Sequence, residues 1–147
     1  MKTTNQGNSW SQISPDLSKS KNSFSAGAIA ESPLQKGLLY YGSDKGSFWV
    51  SKDDGKSWNE NSKNIKDNYI RSIYPSKFLK SRVYMAMTGI NYDDLGNYIY
   101  MSENYGKDWK TIKSNLPNEP ANVIIEDLKY ENVLYAGLYR GVYISFD

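Results

Sequence analysis

Three aspartates, Asp44, Asp93 and Asp94, lie in short polar stretches, and Tyr92, Tyr139 and Arg140 occupy stretches of the same kind. These are the residues whose types could act on a substrate. Histidine and cysteine are both absent, which removes Ser-His-Asp and Cys-His nucleophile systems, thiolate and common zinc sites, and disulfides. Carboxylates are then the acid and base groups that remain. The reaction such a set could carry out is hydrolysis of a glycosidic bond, which needs two carboxyl groups roughly 5 to 9.5 Å apart. Tyrosine faces beside them would stack on sugar rings, and Arg71 and Arg140 would add charged contacts. The same residues also suit solvated turns, where Asp and Gly belong for backbone reasons. No metal and no cofactor is expected.

The element that must position these residues is a repeated turn. Ser51-Lys52-Asp53-Asp54-Gly55-Lys56-Ser57-Trp58 returns as Ser102-Glu103-Asn104-Tyr105-Gly106-Lys107-Asp108-Trp109. Each copy follows an aromatic and β-branched run and precedes a polar strand-like stretch, the setting of a hairpin. Side-chain oxygens of Ser and Asp or Asn can bond nearby backbone N–H groups, Gly supplies a positive φ, and Trp re-enters as a large apolar anchor. Weaker copies frame the chain: Thr3 to Trp10 keeps the hydroxyl, the amide, the Gly and the Trp, and Tyr143 to Asp147 reproduces the strand and the first three box positions. The first box positions, Thr3, Ser51, Ser102 and Ser145, are 48, 51 and 43 residues apart, which signals an array.

The pattern S-x-D-x-G-x-x-W resembles the Asp-box, or BNR repeat, of β-propellers in sialidases, xyloglucanase-type glycoside hydrolases and sortilin-like receptors. The likeness extends through Trp10 to Leu17, Ile29 to Pro33, Glu126-Asp127, Tyr135-Ala136-Gly137 and Tyr143 to Asp147. Over nearly its whole length the chain is similar to bacterial repeat proteins of the glycosyl hydrolase and sortilin (Vps10) types. The resemblance implies an all-β fold, a β-propeller segment of about three four-stranded antiparallel blades with Asp-box hairpins. It also implies a secreted or periplasmic setting and a carbohydrate ligand, cleaved or merely bound; the alternative is a noncatalytic propeller that grips a peptide or protein. Catalysis is expected of a longer parent rather than of this piece.

Punctuation by Gly, Pro or Asn every 8 to 12 residues, with no sustained helical period, supports the all-β reading over a helix beginning at Asn118. In chain order the expected parts are an outer strand at 10–17, a blade at 26–64, a blade at 69–116 interrupted by an insertion at 88–97, and three strands of a blade at 122–147. The missing fourth strand of that last blade is either residues 10–17 or nothing in the chain. Fewer blades than a ring needs, typically about four to eight, leave open blade sides for the rest of a propeller or for self-association.

In an up-and-down blade, successive turns alternate between two faces. Ser51, Asp53, Gly55, Trp58, Ser102, Asn104, Gly106, Trp109, Ser145 and Asp147 therefore share one face and are read as fold residues. The opposite mouth receives Asp44 with Lys45, the insertion with Tyr92, Asp93 and Asp94, and Tyr139 with Arg140. Arg71, near the start of an inner strand, joins them. Glu126 and Asp127 are strand neighbours that face opposite ways, so they cannot form a carboxylate pair. Eighteen basic residues stand against 16 acidic, for a formal charge of +2, and the lysines are scattered; nothing asks for nucleic acid. No apolar run approaches the roughly 20 residues of a membrane helix.

Overall fold

The computed structural model describes residues 1–23 and 25–146. Asp147, the last box residue read from the sequence, lies outside them. Short runs of aromatic and β-branched residues form strands, and these make three antiparallel sheets. The first contains β1 (Ala26–Glu31), β2 (Leu39–Ser43), β3 (Phe48–Ser51) and β4 (Asn59–Glu60). The second contains β5 (Tyr69–Pro75), β6 (Val83–Gly89), β7 (Asp94–Ser102) and β8 (Lys110–Thr111). The third has β9 (Ala121–Glu126), β10 (Leu134–Leu138) and β11 (Val142–Ser145). Each sheet runs in sequence order, as propeller blades do, and the rival helix after Asn118 is instead β9.

Three differences from the sequence reading have physical causes. Residues 10–17 form no ladder; Ser11 makes one bridge, to Lys2, and the stretch runs into a 3-10 turn at Leu17–Asn22, where the Ser18 N–H bonds the Asp16 carboxylate. The outer strands shrink to the two residues after each Trp, and the next residue, Asn61 or Ile112, adds one backbone bond to Phe48 or Ile99. The insertion at 88–97 is smaller than expected: β6 runs to Gly89, a 3-10 turn covers Ile90–Tyr92, and β7 starts at Asp94.

Sheets pack face to face through two cores. Leu38, Tyr40, Phe48 and Val50 of the first meet Ile70, Ile73, Val83, Met85 and Met87 of the second. On the other side of the second sheet, Tyr84, Ala86 and Ile99 meet Ile124, Ala136 and Leu138. All seven residues of β6 are buried, because a middle blade is covered on both faces, and each large apolar side chain so buried is worth about 1.5–3 kcal/mol.

The blades superpose in register. Ser51, Ser102 and Ser145 pair with Leu39, Val83 and Leu134, so Phe48, Ile99 and Val142 are equivalent positions, as are Ile29, Ile73 and Ile124. Three boxes form the same bonds. The N–H of Gly7, Gly55 and Gly106 donates to the hydroxyl of Thr3, Ser51 and Ser102 at 3.0, 2.9 and 2.8 Å. The N–H of Ser9, Ser57 and Asp108 donates to Asn5, Asp53 and Asn104 at 3.0, 2.9 and 2.9 Å. The hairpins close on equivalent pairs, Lys2 with Ser11, Val50 with Asn59 and Met101 with Lys110.

A polar bolt joins the second and third blades. Glu126, 1% exposed, accepts from Tyr84 Oη at 2.9 Å, Ser76 Oγ at 2.7 Å and the Lys77 N–H at 3.2 Å. Arg82 lies 3.8 Å from it and donates to Glu103 at 3.0 Å and Glu131 at 3.1 Å. Asp127, on the opposite side of the strand, accepts the Lys129 and Tyr130 N–H groups and so caps a turn.

Candidate functional site

The turns after β2, β6 and β10 lie at the ends of the blades opposite the boxes, with the connections that lead from one blade to the next. On the box face, the fourth box residue of each internal copy donates to the preceding turn, Asp54 to Gly37 and Tyr105 to Ser81. On the mouth face, Tyr92 Oη lies 3.4 Å from the Asp44 carbonyl, which brings the first two blades' turns into contact. Tyr92 and Tyr139 are 46% and 66% exposed, and Leu95 beside them is 63% exposed. The rim is thus aromatic and apolar.

Two of the three carboxylates at this mouth, Asp44 and Asp94, are bound within the chain. Asp94 Oδ2 accepts from Lys66 Nζ at 2.6 Å and from Asn68 Nδ2 at 3.1 Å; Oδ1 takes the Gly96 N–H at 3.0 Å, and Tyr98 Oη lies 2.9 Å from the carboxylate. The lysine bond above all holds the Asp94 carboxyl well below the usual carboxylate range, and in return Asp94 and Tyr98 hold the Lys66 ammonium above its ordinary value. Asp44 Oδ1 accepts from Ser23 Oγ at 2.5 Å. Asp93 sits in the left-handed region at φ 56°, closing the 3-10 turn, with its side chain exposed. Arg140 lies 3.8 Å from Glu119, and Asn97 is fixed by Asn118 and the Pro117 carbonyl.

The inner strands carry a feature that was not legible in the sequence. Their registers step between Ala26 and Ala28, between Ile70 and Ser72, and between Ala121 and Val123. Each bulge leaves one residue unpaired: Gly27, Arg71 and Asn122, at equivalent places near the mouth. Bulges re-aim the extra side chain, and here they recur at one level of adjacent blades. Gly27 is required for packing, since a Cβ there would lie 2.2 Å from the Ile70 carbonyl oxygen. Arg71 is exposed, with its guanidinium 5.6 Å from the Tyr69 ring. Sequence reasoning found Arg71 but missed Asn122, Lys66, Asn68 and Tyr98, because none belongs to a recurring pattern.

The box residues stand on the other face. Ser51, Asp53, Ser102 and Asn104 spend their side chains on their own hairpins. Ser145 ends β11. Trp109 stacks edge-on against Phe48 with ring centroids 4.9 Å apart, and Trp58 donates to the Ile13 and Gly55 carbonyls. Among the described residues no cluster of three or more Asp or Glu could hold a metal ion, and no helix is long and apolar enough to cross a membrane.

Three antiparallel sheets in sequence order, with an Asp-box hairpin joining the third and fourth strands of the first two, define a segment of an Asp-box β-propeller. The chain belongs to the Sortilin-Vps10 family, described as "Sortilin, neurotensin receptor 3", whose model matches residues 46–139. Among solved structures it is similar to an ancestral GH74 enzyme, with 19% identity, a TM-score of 0.68, and coverage of 84% of this chain and 17% of that one. It is similar to the GH74 xyloglucanase from Xanthomonas campestris, with 16% identity, a TM-score of 0.65, and coverage of 83% and 20%. It also resembles YCF48 bound to D1 peptide, with 11% identity, a TM-score of 0.55, and coverage of 82% and 41%. The chain therefore spans less than half the length of these neighbours, and at such identities the likeness shows the fold. No curated protein matches by sequence.

Proposed function

We propose that the mouth opposite the boxes binds an extended segment of a peptide or protein and leaves it intact. The observation that supports this best is the state of Asp94, whose oxygens are taken by Lys66, Asn68, Gly96 and Tyr98. A carboxylate with that many donors is poorly placed to accept or deliver a proton, and Asp44 spends an oxygen on Ser23. What the mouth offers is a rim of exposed Tyr92, Tyr139 and Leu95 with the cations of Arg71 and Arg140. Such a surface suits apolar side chains and a carboxylate of a peptide. Membership in the sortilin family and likeness to a propeller bound to a peptide favour the same reading.

A carbohydrate ligand is the second reading. The exposed faces of Tyr92 and Tyr139 and the likeness to GH74 propellers favour it, with Asp44, Asp93 and Asp94 as its polar contacts. The test is selection from a phage-displayed random peptide library against the immobilised chain, run beside xyloglucan oligosaccharide binding and release of reducing sugar. Peptides whose capture falls at least about tenfold on Arg71→Ala or Tyr92→Ala are the expected result, the loss typical of a binding anchor. Sugar binding or release without any selected peptide would overturn the proposal.

A further inference from the structure

The turns after β1, β5 and β9 repeat as closely as the boxes do, and they lie beside them. The N–H of Ser32, Ser76 and Asp127 donates to the carbonyl of Leu38, Arg82 and Val133 at 2.9, 3.0 and 2.8 Å. The N–H of those three donates back to Gln35, Leu79 and Tyr130 at 3.2, 2.9 and 3.4 Å. The side chains of Ser32, Ser76 and Asp127 accept the N–H two residues on, from Leu34, Phe78 and Lys129 at 3.2, 3.1 and 2.7 Å. Each tip, 33–37, 77–81 and 128–132, is therefore held in the same way at the same end of its blade. In the first two blades the tip abuts the box, whose Asp54 or Tyr105 N–H bonds the Gly37 or Ser81 carbonyl.

What the tips display is not what a turn requires. Turn chemistry asks for Gly, Pro, Asn, Asp or Ser, yet Leu34, Leu79, Leu128 and Tyr130 stand 46%, 38%, 69% and 66% exposed there. Each tip sets lysine beside them: Lys36 in the first, Lys77 and Lys80 in the second, Lys129 in the third. The Lys77 ammonium lies 5.3 Å from the Phe78 ring, so cation and apolar surface are presented together. The charges on this face are unequally engaged. Glu31 is spent on the Gly37 N–H, Asp53 on Ser57, Asp54 on Lys2, Glu103 and Glu131 on Arg82, and Asp127 on its own turn. Among the described residues the ion pairs take in Lys2, Lys21, Lys66, Arg82, Lys110 and Arg140. They include none of the four tip lysines, nor the exposed Lys56 and Lys107 of the box tips. These six lysines thus share the box face with four exposed apolar side chains.

We propose that this face docks on an anionic lipid bilayer, Leu34, Leu79, Leu128 and Tyr130 entering the headgroup layer and the six lysines lying at the lipid phosphates and carboxylates. Interfacial binding of this kind adds buried apolar area to attraction for anionic lipid. The tips differ in which apolar residue they carry and at which position. An acidic protein surface would need a separate pocket for each, whereas a fluid interface takes any of them. A nucleic acid would engage the lysines through its phosphates and leave the leucines in water. The mouth faces away from the bilayer, and the docking does not depend on what the mouth binds.

Co-sedimentation with phosphatidylcholine vesicles, with and without phosphatidylserine, tests the docking. The chain should pellet with the anionic vesicles and not with the neutral ones, and added salt should release it. Lys77→Gln with Lys80→Gln should weaken binding about twentyfold, about fivefold for each lysine. Leu128→Ser with Tyr130→Ser should weaken it at least about tenfold through lost apolar burial. The sequence has no cysteine, so one introduced thiol can carry an environment-sensitive dye. At Leu128→Cys the dye emission should shift to the blue on anionic vesicles, and at Tyr139→Cys, on the mouth rim, it should not. Failure to bind anionic vesicles would overturn the proposal, as would binding that either double substitution leaves intact. A blue shift at Tyr139→Cys and none at Leu128→Cys would set the mouth on the membrane and overturn it as well.

Discussion

Replacement of the three box glycines by alanine separates backbone strain from packing. Gly7, Gly55 and Gly106 have nearly equal φ, 90°, 87° and 79°, so each alanine carries a similar cost for the left-handed region, about 1–2 kcal/mol. The surroundings differ. At Gly106 the new Cβ would stand 2.3 Å from Cε1 of Phe48, a ring with 0% exposure that is stacked against Trp109, so relief requires moving the core, adding about 1–3 kcal/mol. At Gly55 the obstacle is the Ile13 carbonyl oxygen at 2.6 Å, on a stretch without a ladder that can shift. At Gly7 nothing but the exposed Trp10 is near. The expected losses are about 2–5 kcal/mol for Gly106→Ala, an intermediate value for Gly55→Ala, and about 1–2 kcal/mol for Gly7→Ala. Urea unfolding measures them. Equal losses at Gly7 and Gly106 would refute the reading of Gly106 as a packing contact between blades.

Further outcomes follow from the polar contacts. Glu126→Ala should cost about 3–5 kcal/mol in urea unfolding, because it removes the acceptor of Tyr84 Oη, Ser76 Oγ and the Lys77 N–H and one of the three carboxylates around Arg82, while Glu126→Gln should cost less. Asp53 is held down to about 2 from 3.8, chiefly by the Ser57 hydroxyl and N–H, so its contribution is present above the unfolded value and fades as pH falls from near 4 toward 2. Asp53→Asn should remove that acid-limb dependence in thermal melts and lower neutral-pH melting modestly, since the contribution of the ionised carboxylate is lost while the box bonds stay as Asn104 makes them. In the mouth, Asp94→Asn should return the Lys66 ammonium toward its ordinary range in an NMR titration and speed amide exchange at Gly96; an unmoved Lys66 would contradict the clamp.

The fold was legible because its recurring unit is local. Ser, Asp or Asn, Gly and Trp at fixed spacing satisfy a hairpin from within eight residues, and Asn5, Asp53 and Asn104 make the same bond in all three copies. The strand at 94–97 was hidden because Asp94-Leu95-Gly96 reads as turn chemistry, and only pairing with Gly89 makes it β structure. The site was less legible for the same reason in reverse. Lys66 and Asp94 are 28 residues apart, joined by a connection between blades that has no repeating pattern, and the bulges at Gly27, Arg71 and Asn122 arise from register across strands rather than from residue type. The role of Arg82 and Glu126 as a bolt between blades likewise depends on contacts no single stretch reveals.

Calorimetric titration of one library-selected peptide against Arg71→Ala and Asp53→Asn sets the two faces of the propeller against each other. If the boxes build the blades and the mouth binds, Arg71→Ala weakens the peptide at least about tenfold, and Asp53→Asn leaves its affinity unchanged. Loss of binding on Asp53→Asn with Arg71→Ala unaffected would place the ligand on the box face and contradict that division.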